Sequence, residues 1–207
     1  MKRFTPFFLG FLGLFLLGWL GMVNYPYTAF AELRPDRDAT TNEVTPPGLP
    51  GTAVQGVRVY AANGCVECHS QFVRDKNQGS DIDRKWGARR TVARDYMNEG
   101  DIYLGTSRLG PDLTNVAVRQ KDPAWYYQLL YDPASLNPES GMPAYRWLFK
   151  TRKIAGQVSE EALKLNGKDA PAPGYEVVPT NEAKVLVAYL LALKRNYPLP
   201  EAPEPKE

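Results

Sequence analysis

Cys65-Val66-Glu67-Cys68-His69 decides how the rest of the chain is read. The sequence holds two Cys and one His, and all three fall within these five residues. Cys-x-x-Cys-His is the attachment signature of a c-type haem. Two thiols one helical turn apart can add across the two vinyl groups of one porphyrin, and the His that follows then points at the iron as proximal ligand. A thioredoxin-like dithiol shares the Cys-x-x-Cys but needs a βαβ context that is missing around it. A local disulfide is the other bland alternative. The cysteine and histidine counts exclude a four-ligand Cys/His zinc site and a multi-disulfide scaffold.

With His69 spent on one side of the iron, a second His cannot come from this chain. Met1 and Met22 belong to the apolar N-terminus, so Met97 and Met142 are the candidates for the opposite ligand. Met142 stands in Glu139-Ser140-Gly141-Met142-Pro143-Ala144-Tyr145, where the proline stiffens the loop. Met97 stands in a charged stretch, Arg94 to Glu99. Met142 is the expected ligand; core packing is the ordinary alternative for a methionine. His/Met ligation raises the potential and leaves no open position. The expected role is therefore electron transfer without chemistry on a small molecule.

Upstream, residues 4–23 read FTPFFLGFLGLFLLGWLGMV without a charge. A helix of 20 residues spans about 30 Å, the thickness of a bilayer core. Gly10, Gly13, Gly18 and Gly21 suit close helix approach, and Trp19, Tyr25 and Tyr27 suit the interface. Lys2 and Arg3 precede the span and a mixed-charge segment follows it, which places the N-terminus in the cytoplasm. Ala29-Phe30-Ala31 offers a signal-peptidase site, yet the apolar run exceeds the 7–15 residues of a signal core. A retained anchor is expected.

The whole chain of 207 residues has room for one ordinary domain plus appendages. Its net charge of +2 is too balanced for a dedicated nucleic-acid binder. The expected layout is an anchor and interfacial segment at 1–35, a polar Pro-rich extended linker at 36–51, a haem domain at 52–196, and a mobile Pro-rich tail at 197–207. Helices are expected over Thr52–Asn63, after Asp122-Pro123 with Asp122 as N-cap, and over Asn181–Lys194 with Thr180 as cap.

In this order the chain resembles a class I cytochrome c: a helix with Gly56 and Tyr60 four apart, the Cys-x-x-Cys-His, Gly110-Pro111-Asp112-Leu113, the Met142-Pro143 loop and a last amphipathic helix. The resemblance implies an all-α fold in which the first and last domain helices cross near Gly56 and Tyr189. It also implies that the Pro111 carbonyl accepts from His69 Nδ1. Residues 68–74 (CHSQFVR), 104–116 (LGTSRLGPDLTNV), 122–126 (DPAWY) and 130–148 are similar to the mono-haem subunit II of cbb₃-type cytochrome c oxidases. That family implies a single-pass subunit of a bacterial inner-membrane complex with its haem domain on the periplasmic side. It implies one haem c bound covalently through Cys65 and Cys68, a catalytic haem–copper subunit and other c-type cytochrome subunits as partners, and no oxygen chemistry on this chain. Alternatives are the small subunit of a nitric oxide reductase, a free anchored cytochrome, or, in a different class, a haem-based sensor or structural anchor.

Two long insertions interrupt this pattern, at about 70–109 and 150–178. The first carries Arg84, Lys85, Arg89, Arg90 and Arg94 around Trp86, which reads either as a solvated face or as a clamp for propionates or an acidic partner, while Asp81, Asp83 and Asp95 could equally pair with these arginines. Arg108 and Arg146, beside the two pocket segments, are the other clamp candidates. The second insertion is expected to be a surface loop against a neighbour.

Overall fold

The computed structural model describes residues 4–37 and 42–205, in two compact units that divide between Thr45 and Pro46. Lys2 and Arg3, on which the orientation reading rests, lie outside the described residues, as do Asp38 to Thr41 of the expected linker and the last two residues of the tail.

In the first unit, helix α1 (Phe4–Ala31) is one apolar helix of 28 residues, long enough to cross a membrane, with none of its residues buried. It loosens into a π-helical turn at Leu20–Asn24. Pro26 follows directly and has no N–H to donate to the carbonyl one turn back, so the ladder must widen there. Part of the expected linker is a ribbon: β1 (Asp36–Arg37) pairs antiparallel with β2 (Val44–Thr45).

The second unit starts on α2 (Gly51–Ala62) and closes on α6 (Asn181–Ala192). Between them lie three shorter helices, α3 (Val116–Arg119), α4 (Pro123–Tyr131) and α5 (Pro133–Leu136), and a ribbon of β3 (Phe149–Lys153) and β4 (Tyr175–Pro179). The expected caps are present: Asp122 accepts from Ala124 N at 2.9 Å, and Thr180 Oγ1 from Ala183 N at 3.3 Å.

Helices α2 and α6 cross at Gly56. A β-carbon there would run into the Val185 carbonyl and Tyr189 Cβ, so only glycine allows the backbones this close. One turn on, the Tyr60 and Tyr189 rings meet edge-on with centroids 5.4 Å apart. Such a pair adds about 0.5–1.5 kcal/mol beyond the area it buries. Tyr126, Leu148, Leu186 and Leu193 complete the fully buried centre.

Three expectations need correction. The fold is helix-rich rather than all-α, because residues at both ends of the second insertion form the β3–β4 ribbon, with Phe149 opposite Pro179 and Lys153 opposite Tyr175. That insertion is anchored, not a plain loop: Glu176, 4% exposed, accepts from Arg152 Nε at 2.7 Å and Ser159 N at 2.7 Å. The C-terminal tail is strapped down. Leu199 and Ala202 are buried, and Arg89 Nε and Arg90 Nη2 donate to the carbonyls of Tyr197 and Glu201 at 3.0 and 2.9 Å.

Candidate haem site

Gly64 ends the approach from α2 with φ +67°, a left-handed turn that glycine takes without steric cost. Residues Cys65–Glu67 then form one 3₁₀ turn, with Cys68 and His69 both donating their N–H to the Cys65 carbonyl at 3.3 and 3.0 Å. The two cysteines are not joined to each other, which leaves both sulfurs for a porphyrin. Burial raises the Cys65 thiol to about 11, partly offset by hydrogen bonds from the backbone and Tyr145.

The chain after His69 is framed by residues 104–113. Gln71 N donates to Leu104 O at 2.8 Å, Gly110 N to Cys68 O at 2.9 Å and Leu113 N to Ser70 O at 2.8 Å. This frame sets His69 Nδ1 2.7 Å from the Pro111 carbonyl oxygen. A carbonyl can only accept, so Nδ1 carries the proton and Nε2 is left with its lone pair for a metal. Two glycines make the approach possible. A β-carbon on Gly110 would strike the His69 imidazole, and one on Gly105, which has φ +79°, would meet His69 O and Ser70 Cα. The local residues thus fit a haem held through two thiols and one imidazole.

Met142 is half-buried against the core cluster that also takes in Cys65 and Val66, and its N–H donates to Ser140 Oγ at 3.3 Å. Two neighbours tie its loop to the cysteine turn. Tyr145 couples to Cys65 and Cys68, its hydroxyl lifted to about 12 by burial and then by those thiols. Trp147 Nε1 donates to Asn63 Oδ1 at 3.0 Å. Met97 closes a separate 3₁₀ turn, donating its N–H to Arg94 O at 3.3 Å.

The proposed clamps have other partners. Arg108 donates to Ser70 Oγ, Asp81 Oδ1 and Phe72 O, at 2.7, 3.0 and 2.7 Å, and its guanidinium lies 4.5 Å from the Phe72 ring centroid. Arg146 pairs with Asp169 of the second insertion and lies over Tyr131. Within the basic cluster, Arg89 is 3% exposed and forks onto Asp95 at 2.8 and 3.0 Å, while Arg84 lies over Trp86. Tyr96 donates to Gln71 O at 2.7 Å. The first insertion is therefore folded back on the segment that follows His69.

Sequence reasoning missed Ser70, Asp112 and Gly105, and it offered Asp81 only as a partner for the basic cluster at 84–94, whereas Asp81 pairs with Arg74 and Arg108. Asp112 could have been suspected from its place in Gly110-Pro111-Asp112-Leu113. It is fully buried and accepts from Ser70 Oγ, Phe72 N and Thr114 N at 2.7, 3.0 and 2.8 Å.

A Cys-x-x-Cys-His turn whose imidazole is steadied by a carbonyl 42 residues away, on a domain closed by its first and last helices, defines a c-type cytochrome. The family model for the cytochrome c oxidase mono-heme subunit, FixO, matches residues 39–184, and the chain belongs to that family. It is the electron-transfer subunit of a cbb₃-type oxidase, with one haem and, among the described residues, a single candidate membrane span. The match extends through 150–178, which the sequence resemblance left out. No curated relative matches the chain.

Proposed function

We propose that Cys65 and Cys68 carry the thioether bonds to haem c, that His69 Nε2 is the proximal ligand and that Met142 is the distal one. The His69–Pro111 hydrogen bond beside a glycine that makes room for the ring carries this reading. Pro111 fixes the tautomer and orientation of the imidazole, and such partners raise ligand basicity. In support of Met142, Trp147 Nε1 donates to Asn63 beside the cysteine turn at 3.0 Å, and Tyr145, Met142 and Cys65 belong to one hydrophobic cluster. Bound there by Cys65, Cys68, His69 and Met142, haem would supply reversible one-electron chemistry. The chain relays electrons to the catalytic haem–copper subunit and performs no oxygen chemistry itself.

Lys2 and Arg3 before the span support a cytoplasmic N-terminus, a bacterial inner-membrane location and a periplasmic haem domain. Arg108 is better read as a tie within the fold than as a propionate clamp, because Ser70, Asp81 and Phe72 already take its donors. Arg146, about half exposed, remains open to a propionate or partner carboxylate beyond its Asp169 pairing.

The test is purification through this chain in mild detergent, followed by a reduced-minus-oxidised spectrum and a metal count. Haem c together with b-type haem and copper supports the reading. Non-haem iron in place of copper, or haem c alone, overturns the partner assignment.

A further inference from the structure

A polar chain runs from the segment after His69 to the segment that holds its ring. Ser70, 1% exposed, donates through Oγ to Asp112 Oδ2 at 2.7 Å and accepts from Arg108 Nε at 2.7 Å. Arg108 goes on to Asp81, fully buried, at 3.0 and 2.9 Å. Asp81 in turn takes the backbone N–H of Arg74 at 2.8 Å and its guanidinium at 2.8 to 3.3 Å. Both guanidinium groups thus pair with Asp81, Asp112 is held by the Ser70 hydroxyl and backbone N–H groups, and Ser70 is the joint between the two carboxylates.

The position of that joint matters more than its energy. Ser70 is the next residue after His69, and Asp112 is the next residue after Pro111. The backbone bonds between these strands of chain fix their spacing along one direction. The Ser70–Asp112–Arg108 junction ties them through side chains, together with Phe72 N donating to Asp112 Oδ2 at 3.0 Å and Arg108 Nη2 donating to Phe72 O at 2.7 Å. Lateral slip there would lengthen the His69 Nδ1 to Pro111 bond directly.

We propose that Ser70, Asp112 and Arg108 are positioning residues for His69. They set the strength of its hydrogen bond to Pro111, and so the donor strength of Nε2, with Asp81 and Arg74 as the outer anchor. This rests on the haem reading above. A buried hydrogen-bond network that is fully satisfied rigidifies its surroundings and specifies one geometry. Loosening it leaves the imidazole a weaker donor, which disfavours the oxidised centre.

The test uses the purified oxidase complex carrying Ser70→Ala, which removes the joint without changing charge, and Ser70→Thr, which restores a hydroxyl. Arg108→Lys keeps the charge but cannot reach Ser70, Asp81 and Phe72 together, and it carries the test if Ser70→Ala fails to assemble. Covalent haem stain, the midpoint potential of haem c and its low-spin EPR g-values are read for each. Expected for Ser70→Ala and Arg108→Lys is full haem content with a raised potential and shifted g-values, and for Ser70→Thr a return toward the unaltered protein. Full haem content with unchanged potential and g-values in Ser70→Ala and Arg108→Lys overturns the proposal. An unaltered chain without covalent haem overturns the haem reading and this proposal together, and the stain tells the two failures apart.

Discussion

His69 Nδ1 lies 2.7 Å from the carbonyl oxygen of Pro111, and the residue between that proline and Leu109 is a glycine whose missing side chain is the space the imidazole occupies. The two features depend on each other. The ring can reach the carbonyl only by lying against the Gly110 backbone. Gly110→Ala should therefore push the ring off Pro111. Overpacking of this kind costs about 1–3 kcal/mol. The expected outcome is a complex with reduced covalent haem content and a broadened haem c band, read by haem stain and absorption. Normal haem content with an unshifted band would show that the ring tolerates the methyl.

Met142 separates ligation from packing. If it is a ligand, Met142→Ala opens one axial position, and the haem c potential falls because a methionine ligand raises it. Loss of the low-spin signature and a lowered midpoint in a redox titration are expected. Met97→Leu should leave both unchanged, since Met97 lies on the turn after Ala93–Tyr96. An unaltered spectrum in Met142→Ala would reduce Met142 to core packing and favour a sensor-like open site.

Arg89 and Asp95 are paired at 3% and 0% side-chain exposure, so neither charge can turn to water if the other is lost. Asp95 also accepts the Val92 N–H at 2.8 Å, and Arg89 also binds the Tyr197 carbonyl of the tail. Removing one partner of such a pair costs about 3–5 kcal/mol. Asp95→Ala should lower the stability of the full chain in detergent by that amount in a urea titration. It should also release the tail to proteolysis after Asn196. A loss below about 1 kcal/mol would mean that the pair is solvated in practice.

This pair illustrates what the sequence could and could not reveal. The Cys65–His69 spacing and the Asp122 and Thr180 caps are short-range signals, the Gly56–Tyr189 crossing was implied by the family resemblance alone, and each has its counterpart in the structure. The basic cluster at 84–94 gave no such pattern. Whether Arg89 faces water depends on Asp95 six residues on and on a carbonyl 108 residues away, which only the closed topology brings together. The same holds for the tail. Its prolines read as mobile, yet Leu199 and Ala202 are buried and Arg89 and Arg90 of the insertion donate to the tail's carbonyls. The β3–β4 ribbon was hidden because Phe149–Lys153 has one buried residue out of five and shows no alternation.

Asp81 makes a prediction about acid. Burial would raise its carboxyl, but hydrogen bonds from Arg74 and the nearby charge of Arg108 outweigh that, and the net shift is downward. A carboxyl with a native value below its unfolded value of about 3.9 contributes stability that is fully present above that value. The contribution is lost as pH falls through the native value, because protonation then costs the folded state its ion pairs. Asp81→Asn cannot make this contribution at any pH. The two proteins should therefore differ most at pH 6 and converge between about pH 4 and pH 2, as read from urea midpoints of the full chain in detergent. Parallel curves across that window would mean that Asp81 titrates alike in both states, and the Arg74–Asp81–Arg108 cluster would then contribute nothing through its charges.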